Sequence, residues 1–107
     1  MFEPGEHAIT KQELEDFSKE HDLLIDFYAD WCGPCKLMSK VVFDAWDKLK
    51  DVTLDKVNVD WTPQLAADFG VTSIPTIFCY RKGKCVAKFV GVVEAEKIVD
   101  AFKDPVA

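Results

Sequence analysis

Residues 30–36 read Asp30-Trp31-Cys32-Gly33-Pro34-Cys35-Lys36, which places two cysteines with two intervening residues where the sequence pattern changes. An apolar run over residues 23–28 precedes them and an amphipathic run over residues 37–49 follows, predicting strand, tight turn and helix in that order. Unpaired amide N–H groups and the positive end of the helix dipole would stabilise a thiolate at the first cysteine. The stretch therefore predicts a redox-active dithiol.

The predicted helix after the cysteines has an apolar inner side. Cys35 lies three residues before Met38 and seven before Val42, so these side chains share that inner side, whereas Cys32 at the helix start can face solvent. The spacing thus predicts one exposed and one shielded sulfur. The remaining apolar residues that recur at helical spacing are Leu37, Val41, Ala45, Trp46 and Leu49.

Signals for further helices and strands lie on both sides of the motif. Thr10 and Glu13 have capping-box spacing and Ile9 can pack on Leu14, so a first helix is predicted from about Lys11 to Glu20. Strands are predicted at residues 23–29, 53–59, 76–81 and 84–90. A short helix is predicted to begin at Pro63, with Thr62 as its N-cap and Gly70 as its stop, and a final helix is marked by Ala95, Ile98, Val99 and Phe102. With one more strand ahead of the first helix, this order predicts an α/β protein whose mixed sheet of about five strands has helices on both faces.

The overall composition is that of one globular domain spanning residues 1–107. The net charge of −6 opposes binding to nucleic acid or anionic lipid, and no apolar run approaches the about 18 residues of a membrane-spanning helix. The first residues carry neither the basic nor the apolar segment of a secretory signal, so a cytoplasmic location is expected. In that compartment, four cysteines favour catalysis or metal binding over structural disulfides.

The other two cysteines, Cys79 and Cys85, bear on the metal alternative. A zinc ribbon needs a second pair with two intervening residues, whereas these two have five intervening residues inside a predicted hairpin, so no metal is expected. They could form a cross-strand disulfide if the hairpin loop holds three residues. In a reducing compartment, two free buried thiols that pack as small hydrophobic groups are favoured.

Asp26 interrupts the apolar strand before the motif. A carboxylate there is costly to ionise unless it is paired, and burial should raise its pKa. Asp26 is therefore a candidate general base for Cys35, acting through water, with Lys56 as its charge partner. The alternative is an Asp26–Lys56 ion pair that only anchors the sheet.

The Trp31–Lys36 motif lies about forty residues before Ile74-Pro75-Thr76, and Asp26, Lys56, Gly83 and Gly91 complete a pattern that resembles the thioredoxin family from end to end. The resemblance implies a thioredoxin fold and a monomeric protein disulfide reductase. Cys32 would attack a substrate disulfide, and Cys35 would resolve the mixed disulfide. A thioredoxin reductase drawing on NADPH would then reduce the protein again, with no bound cofactor.

The resemblance also implies a surface that binds substrate. The Ile74-Pro75 bond would be cis, and disulfide-containing protein substrates would dock beside it as an extended segment. For Trp31 the alternative is packing alone, and for Val59 and Val92 it is an ordinary core position. The expected surface residues are Trp31, Gly33, Pro34, Ile74, Pro75, Gly91 and Val92, with Val59 beside them.

Three departures from the usual family pattern involve four residues. Lys40 replaces a proline that kinks the active-site helix, so a straighter helix is expected. Tyr28 replaces a common tryptophan, and Thr72-Ser73 replace a basic residue and a glycine. None of these changes removes a catalytic group, so they bear on redox tuning and partner preference.

Two other functions are compatible with the motif. The same dithiol could work as an oxidase or isomerase, although Gly33-Pro34 and the expected cytoplasmic location argue against it. The chain could also be a binding module without catalysis, which full biological activity of a Cys32→Ser variant would support.

Overall fold

The computed structural model describes residues 10–103. Four helices and four strands follow one another along this part of the chain. In order they are α1 (Lys11–Glu20), β1 (Asp22–Tyr28), α2 (Gly33–Asp47), β2 (Val52–Asn58), α3 (Pro63–Asp68), β3 (Thr76–Arg81), β4 (Lys84–Val90) and α4 (Ala95–Ala101).

The strands form one mixed sheet in the order β2-β1-β3-β4. β1 pairs with β2 in parallel and with β3 antiparallel, and β4 returns antiparallel to β3. The described sheet therefore has four strands where about five were expected. The additional strand was expected ahead of α1 and lies outside the described residues. Within residues 10–103, no helix is both long enough and apolar enough to span a membrane.

Helices cover both faces of the sheet, as the sequence predicted. On one face α2 and α4 pack over the sheet through Met38, Val42 and Ile98. On the other face α1 and α3 contribute Leu14 and Leu65 to a cluster with Phe27. β1 is an inner strand of the sheet and is buried along most of its length. Its C-terminal end therefore places residues 30–36 near the middle of the side of the sheet where this strand ends.

Capping groups set where the helices begin. The Thr10 side chain accepts a hydrogen bond from the Glu13 amide and the Glu13 carboxylate accepts one from the Thr10 amide, which confirms the capping box. The Ile9 half of the predicted staple lies outside the described residues. In α2, Lys40 lies within an uninterrupted helix. Leu37 and Trp46, grouped with the inner side of that helix by spacing, are 56% and 38% exposed, so this expectation was wrong for both.

The β3–β4 hairpin turns at Lys82 and Gly83, whose φ angles of 52° and 79° are typical of a type I′ turn. With two loop residues and a register shift at Cys79/Tyr80, Cys85 pairs with Tyr80 while Cys79 pairs with Ala87. Both cysteines are free, as favoured, and Cys79 is buried. Cys85 is exposed rather than buried, because β4 is the outer strand of the described sheet.

Candidate active site

The start of α2 carries the two cysteines. Cys32 is the N-cap residue, and its Sγ lies 3.2 Å from the Cys35 amide nitrogen, which donates to it. Gly33 and Pro34 form the first helical positions, where a proline loses nothing because its missing N–H would have no partner inside the helix. Cys32 and Cys35 form a disulfide, with their Cα atoms 5.2 Å apart. The helix start thus gives the Cys32 sulfur an amide donor of the kind that stabilises a thiolate.

Both sulfurs are shielded, which corrects the expectation that Cys32 faces solvent. Cys32 and Cys35 are 5% and 3% exposed, respectively. The carbonyl oxygen of Ile74, in the loop before β3, lies 4.0 Å from the Cys32 Sγ, so a segment distant in sequence covers the sulfur. The two residues nevertheless differ, because Cys32 lines a groove and Cys35 lines a separate, smaller pocket.

The groove beside Cys32 has a volume of about 540 Å³. Trp31, Gly33, Pro34 and Ile74 line it as the sequence predicted, and Val59 lines it as well. The other walls of the groove were not predicted as substrate-binding positions, although residues 71–73 lead directly into Ile74-Pro75, which is the signal that could have found them. The missed residues are Ala66, Val71, Thr72 and Ser73.

The other expected substrate-binding residues lie next to this groove. The Ile74-Pro75 bond is cis, as the resemblance implied. The Gly91 amide donates to the Pro75 carbonyl at 2.9 Å, which holds the end of β4 beside the cis-proline loop. Gly91 and Val92 are not among the residues that line the groove, and Val92 is 48% exposed on the adjoining surface.

Trp31 projects at the rim of the groove. Its side chain is 70% exposed, and its indole Nε1 donates a 2.8 Å hydrogen bond to Asp60 Oδ2. The Asp60 amide in turn donates to Asn58 Oδ1 at 2.9 Å. The indole ring is therefore held in place by a hydrogen bond while most of its surface stays exposed. A tryptophan that only packs in the core would instead be buried.

Asp26 and Lys56 face each other between β1 and β2. Asp26 is 1% exposed, and its Oδ2 lies 3.9 Å from Lys56 Nζ. Burial raises the pKa of the Asp26 carboxyl to about 6, and the positive charge of Lys56 opposes part of that rise. Neither carboxyl oxygen accepts a hydrogen bond from the described residues. The carboxyl group can therefore change protonation state close to neutral pH.

A small pocket of about 150 Å³ lies on the Cys35 side of α2. Cys35 and Lys56 both line it, so it brings the shielded cysteine and the lysine that pairs with Asp26 to the same space. The volume is large enough for water between them. The other residues of its wall are Tyr28, Ala29, Asp30, Lys36 and Ser39.

The described residues also bear on the metal alternative. Nowhere in residues 10–103 do three or more His, Cys, Asp or Glu side chains cluster as a metal site would require. What the fold brings together is a disulfide, an apolar groove at one of its sulfurs, a separate small pocket at the other, and a titratable carboxyl group on β1, the strand that leads into the active-site stretch. A protein that exchanges disulfides with other proteins needs these elements, and the class of protein is therefore a thiol–disulfide oxidoreductase.

Comparison with known proteins narrows this class to a family. The thioredoxin family model matches residues 6–104. A thioredoxin from Mycoplasma genitalium is 39% identical over 94 residues, covering 88% of this chain and 92% of its own. The oxidised mitochondrial thioredoxin 3 of Saccharomyces cerevisiae superposes with a TM-score of 0.76 at 31% identity, covering 92% of both chains.

A second solved structure also matches the fold of this chain. It comes from work on thiol resolution in a yeast mitochondrial 1-Cys peroxiredoxin through the glutathione and thioredoxin systems. Its chain has a TM-score of 0.76 and 31% identity, and the match covers 92% of this chain and 96% of that one. The chain belongs to the thioredoxin family, and it is a protein disulfide oxidoreductase that works by dithiol–disulfide exchange.

Proposed function

We propose that Cys32 is the attacking thiol and Cys35 the resolving thiol in the reduction of protein disulfides. The observation that carries this assignment is that Cys32 is the N-cap of α2 and also lines the groove, whereas Cys35 lies one helical turn inward and lines the other pocket. A thiolate at the N-cap receives the Cys35 amide and the helix dipole, so Cys32 is the more readily ionised of the two.

The exchange proceeds in two steps. The Cys32 thiolate attacks one sulfur of the substrate disulfide, which forms a mixed disulfide and releases the other substrate sulfur as a thiolate that takes up a proton. Cys35 then loses its proton and attacks the Cys32 sulfur, which forms the Cys32–Cys35 disulfide and releases the second substrate thiolate. Two electrons pass from the protein to the substrate, and the protein ends in the disulfide state seen here.

Asp26 accepts the Cys35 proton in this scheme, through water in the pocket that Cys35 shares with Lys56. The raised pKa of Asp26 supports this role, because a base with a pKa near the working pH both takes up and returns a proton. Lys56 limits that rise and keeps the carboxyl group ionisable.

The substrate lies along the groove as an extended segment. Trp31, Gly33, Pro34 and Ile74 contact the residues next to the substrate cysteine. An ideal Cβ at Gly33 would meet nothing within 4 Å, so the surface at that point is open to an approaching chain. Pro75 holds the loop in position, and Gly91 and Val92 contact the part of the substrate that extends beyond the groove.

The protein acts as a single domain over residues 1–107 and as a monomer that a thioredoxin reductase reduces, with NADPH as the electron source and no bound cofactor. We place it in the cytoplasm. The free thiols at Cys79 and Cys85 support that location, since an exposed cysteine such as Cys85 persists in a reducing compartment.

Reduction of insulin disulfides by dithiothreitol tests the proposal. The wild type should accelerate the reaction well above dithiothreitol alone, and Cys32→Ser and Cys35→Ser should each abolish that acceleration. Cys85→Ser is the matched control, because it removes an exposed thiol on the outer strand and should keep the wild-type rate. A wild type no faster than dithiothreitol alone, or a Cys32→Ser variant that keeps the wild-type rate, would contradict the assignment.

A further inference from the structure

The ammonium group of Lys56 has four neighbours in the structure. Its Nζ donates a 2.7 Å hydrogen bond to the Ser39 hydroxyl. It also lies 4.7 Å from the centre of the Tyr28 ring and 5.2 Å from that of Phe43, both within the range of cation–π attraction. Asp26 is the charged neighbour, yet its Oδ2 is 3.9 Å away, beyond hydrogen-bonding distance.

This arrangement is unexpected for two opposite charges that are largely shielded from water. The Lys56 side chain is only 18% exposed and that of Asp26 only 1%, so a direct charge-assisted hydrogen bond between them would be stronger than one at the surface. The ammonium group instead hydrogen-bonds a neutral hydroxyl. The shortest polar contact of the ammonium group is thus with Ser39, and the two rings are only its cation–π neighbours.

These neighbours come from the helix that carries the resolving cysteine. Cys35, Ser39 and Phe43 follow one another at intervals of four residues in α2, so they lie along one side of it. Cys35 and Ser39 line the same small pocket as Lys56. α2 therefore brings the Cys35 thiol and the Ser39 hydroxyl to the same pocket as Lys56.

We propose that Ser39 is a positioning residue, which holds the Lys56 ammonium out of hydrogen-bonding contact with Asp26 and so leaves that carboxyl group able to exchange protons with the dithiol. The inference rests on the proposed role of Asp26 as the proton acceptor. It adds Ser39 as the residue that determines how strongly the Lys56 charge stabilises the ionised Asp26 carboxylate.

Loss of the Ser39 hydroxyl has a defined consequence for Asp26. Without it, the ammonium group can move from 3.9 Å to the about 2.8 Å of a charge-assisted hydrogen bond, which stabilises the ionised carboxyl. The partner that β3 places opposite Asp26 is Ile77, which is apolar, and α4 packs on this side with Ile98 and Val99. Lys56 from β2 is the charge that acts on Asp26, and α2 adds Cys35 and, at the pocket wall, Lys36.

The test is a pH titration of the Asp26 carboxyl carbon by ¹³C NMR in the oxidised protein. The wild-type midpoint should lie at about 6. Ser39→Ala should lower it by about one pH unit, a modest shift for a carboxylate that gains a close cation. Ser39→Thr keeps a hydroxyl at the same position and should restore the wild-type midpoint. The acidic limb of insulin reduction should move with the NMR midpoint in each variant.

Two variants separate positioning from a general structural effect. Ser18→Ala removes a hydroxyl from α1 on the other face of the sheet and should leave the midpoint unchanged. In a Lys56→Met background, Ser39→Ala should have no further effect on the midpoint, because Ser39 acts through the lysine.

The possible failures are distinguishable. A wild-type midpoint near 6 with an unchanged or raised midpoint in Ser39→Ala would overturn the role of Ser39 and leave the role of Asp26 intact. A wild-type midpoint near the ordinary value of 3.8 would overturn the role of Asp26 as a base near neutral pH, and the inference with it.

Discussion

Asp26 is a carboxyl group placed where water hardly reaches it, with 1% of its surface exposed. Burial favours the neutral acid, and the ion pair with Lys56 at 3.9 Å only partly offsets this, so the pKa rises from 3.8 to about 6. A raised folded-state pKa means that folding favours the protonated form. The resulting stabilisation is fully present below pH 3.8 and is lost as the pH rises through about 6.

We expect Asp26→Asn to flatten this pH dependence. A pKa raised from 3.8 to about 6 corresponds to about 3 kcal/mol, so between pH 3.5 and pH 7.5 the wild type should lose about that much more unfolding free energy than the variant. Urea unfolding of both oxidised proteins across this range measures the difference. Parallel stability curves for the two proteins would show that the carboxyl group titrates alike in the folded and unfolded chain.

At the scale of the elements, local signals in the sequence were sufficient for most boundaries. The capping box at Thr10 and Glu13 and the turn at Lys82-Gly83 involve residues that are neighbours in the chain, and the predicted bounds of α1, β3 and β4 match the structure. Amphipathic spacing was weaker. It grouped Leu37 and Trp46 with the inner side of α2, although both border solvent, because spacing alone does not fix where a buried face ends.

The end of β4 depends on a glycine in an unusual conformation. Gly91 has a φ of +86°, and its amide donates to the Pro75 carbonyl, so its backbone shape keeps the cis-proline loop in position. A Cβ at Gly91 would meet nothing within 4 Å, so the penalty for a side chain there is conformational rather than steric contact with neighbours.

Gly91→Ala should therefore destabilise the protein by about 1 kcal/mol, the strain of a left-handed backbone at a residue with a Cβ. Gly33→Ala is the matched control for stability, since Gly33 lies in a helix and is equally open to a Cβ. Urea unfolding should show a lower midpoint for Gly91→Ala and no loss for Gly33→Ala. Equal midpoints for Gly91→Ala and the wild type would mean that the φ of Gly91 is not required by the fold.

In the whole molecule, the burial of Cys32 and the remaining walls of the groove depend on contacts between distant segments. Cys32 is buried because the Ile74 carbonyl lies over it, and Ala66 and Val71 reach the groove because α3 packs beside the sheet edge. The residues of the active-site stretch alone do not predict these contacts, because the contacting segments lie far away in the sequence. The cysteine pair, the Asp26–Lys56 pair and most of the groove residues were predicted, because motif spacing and the resemblance to thioredoxins point to them directly.

In the assembled fold, the two cysteines of the disulfide border different spaces. On one side of the start of α2, Cys32 borders an apolar groove suited to a peptide segment. On the other, Cys35 borders a small pocket whose wall includes the partner of the titratable carboxyl group. In the proposed mechanism, attack on substrate and transfer of the resolving proton therefore occur in different spaces.

The most direct test is to trap the mixed disulfide. Reduced Cys35→Ser protein, incubated with a disulfide-linked peptide, should accumulate a covalent adduct at Cys32, because the first step proceeds and the resolving step is blocked. Peptide mapping by mass spectrometry locates the adduct, and Cys85→Ser in the same background removes the exposed thiol on β4. An adduct at Cys32 that survives this second substitution is the expected result. An adduct confined to Cys85, or none at all, would contradict the account.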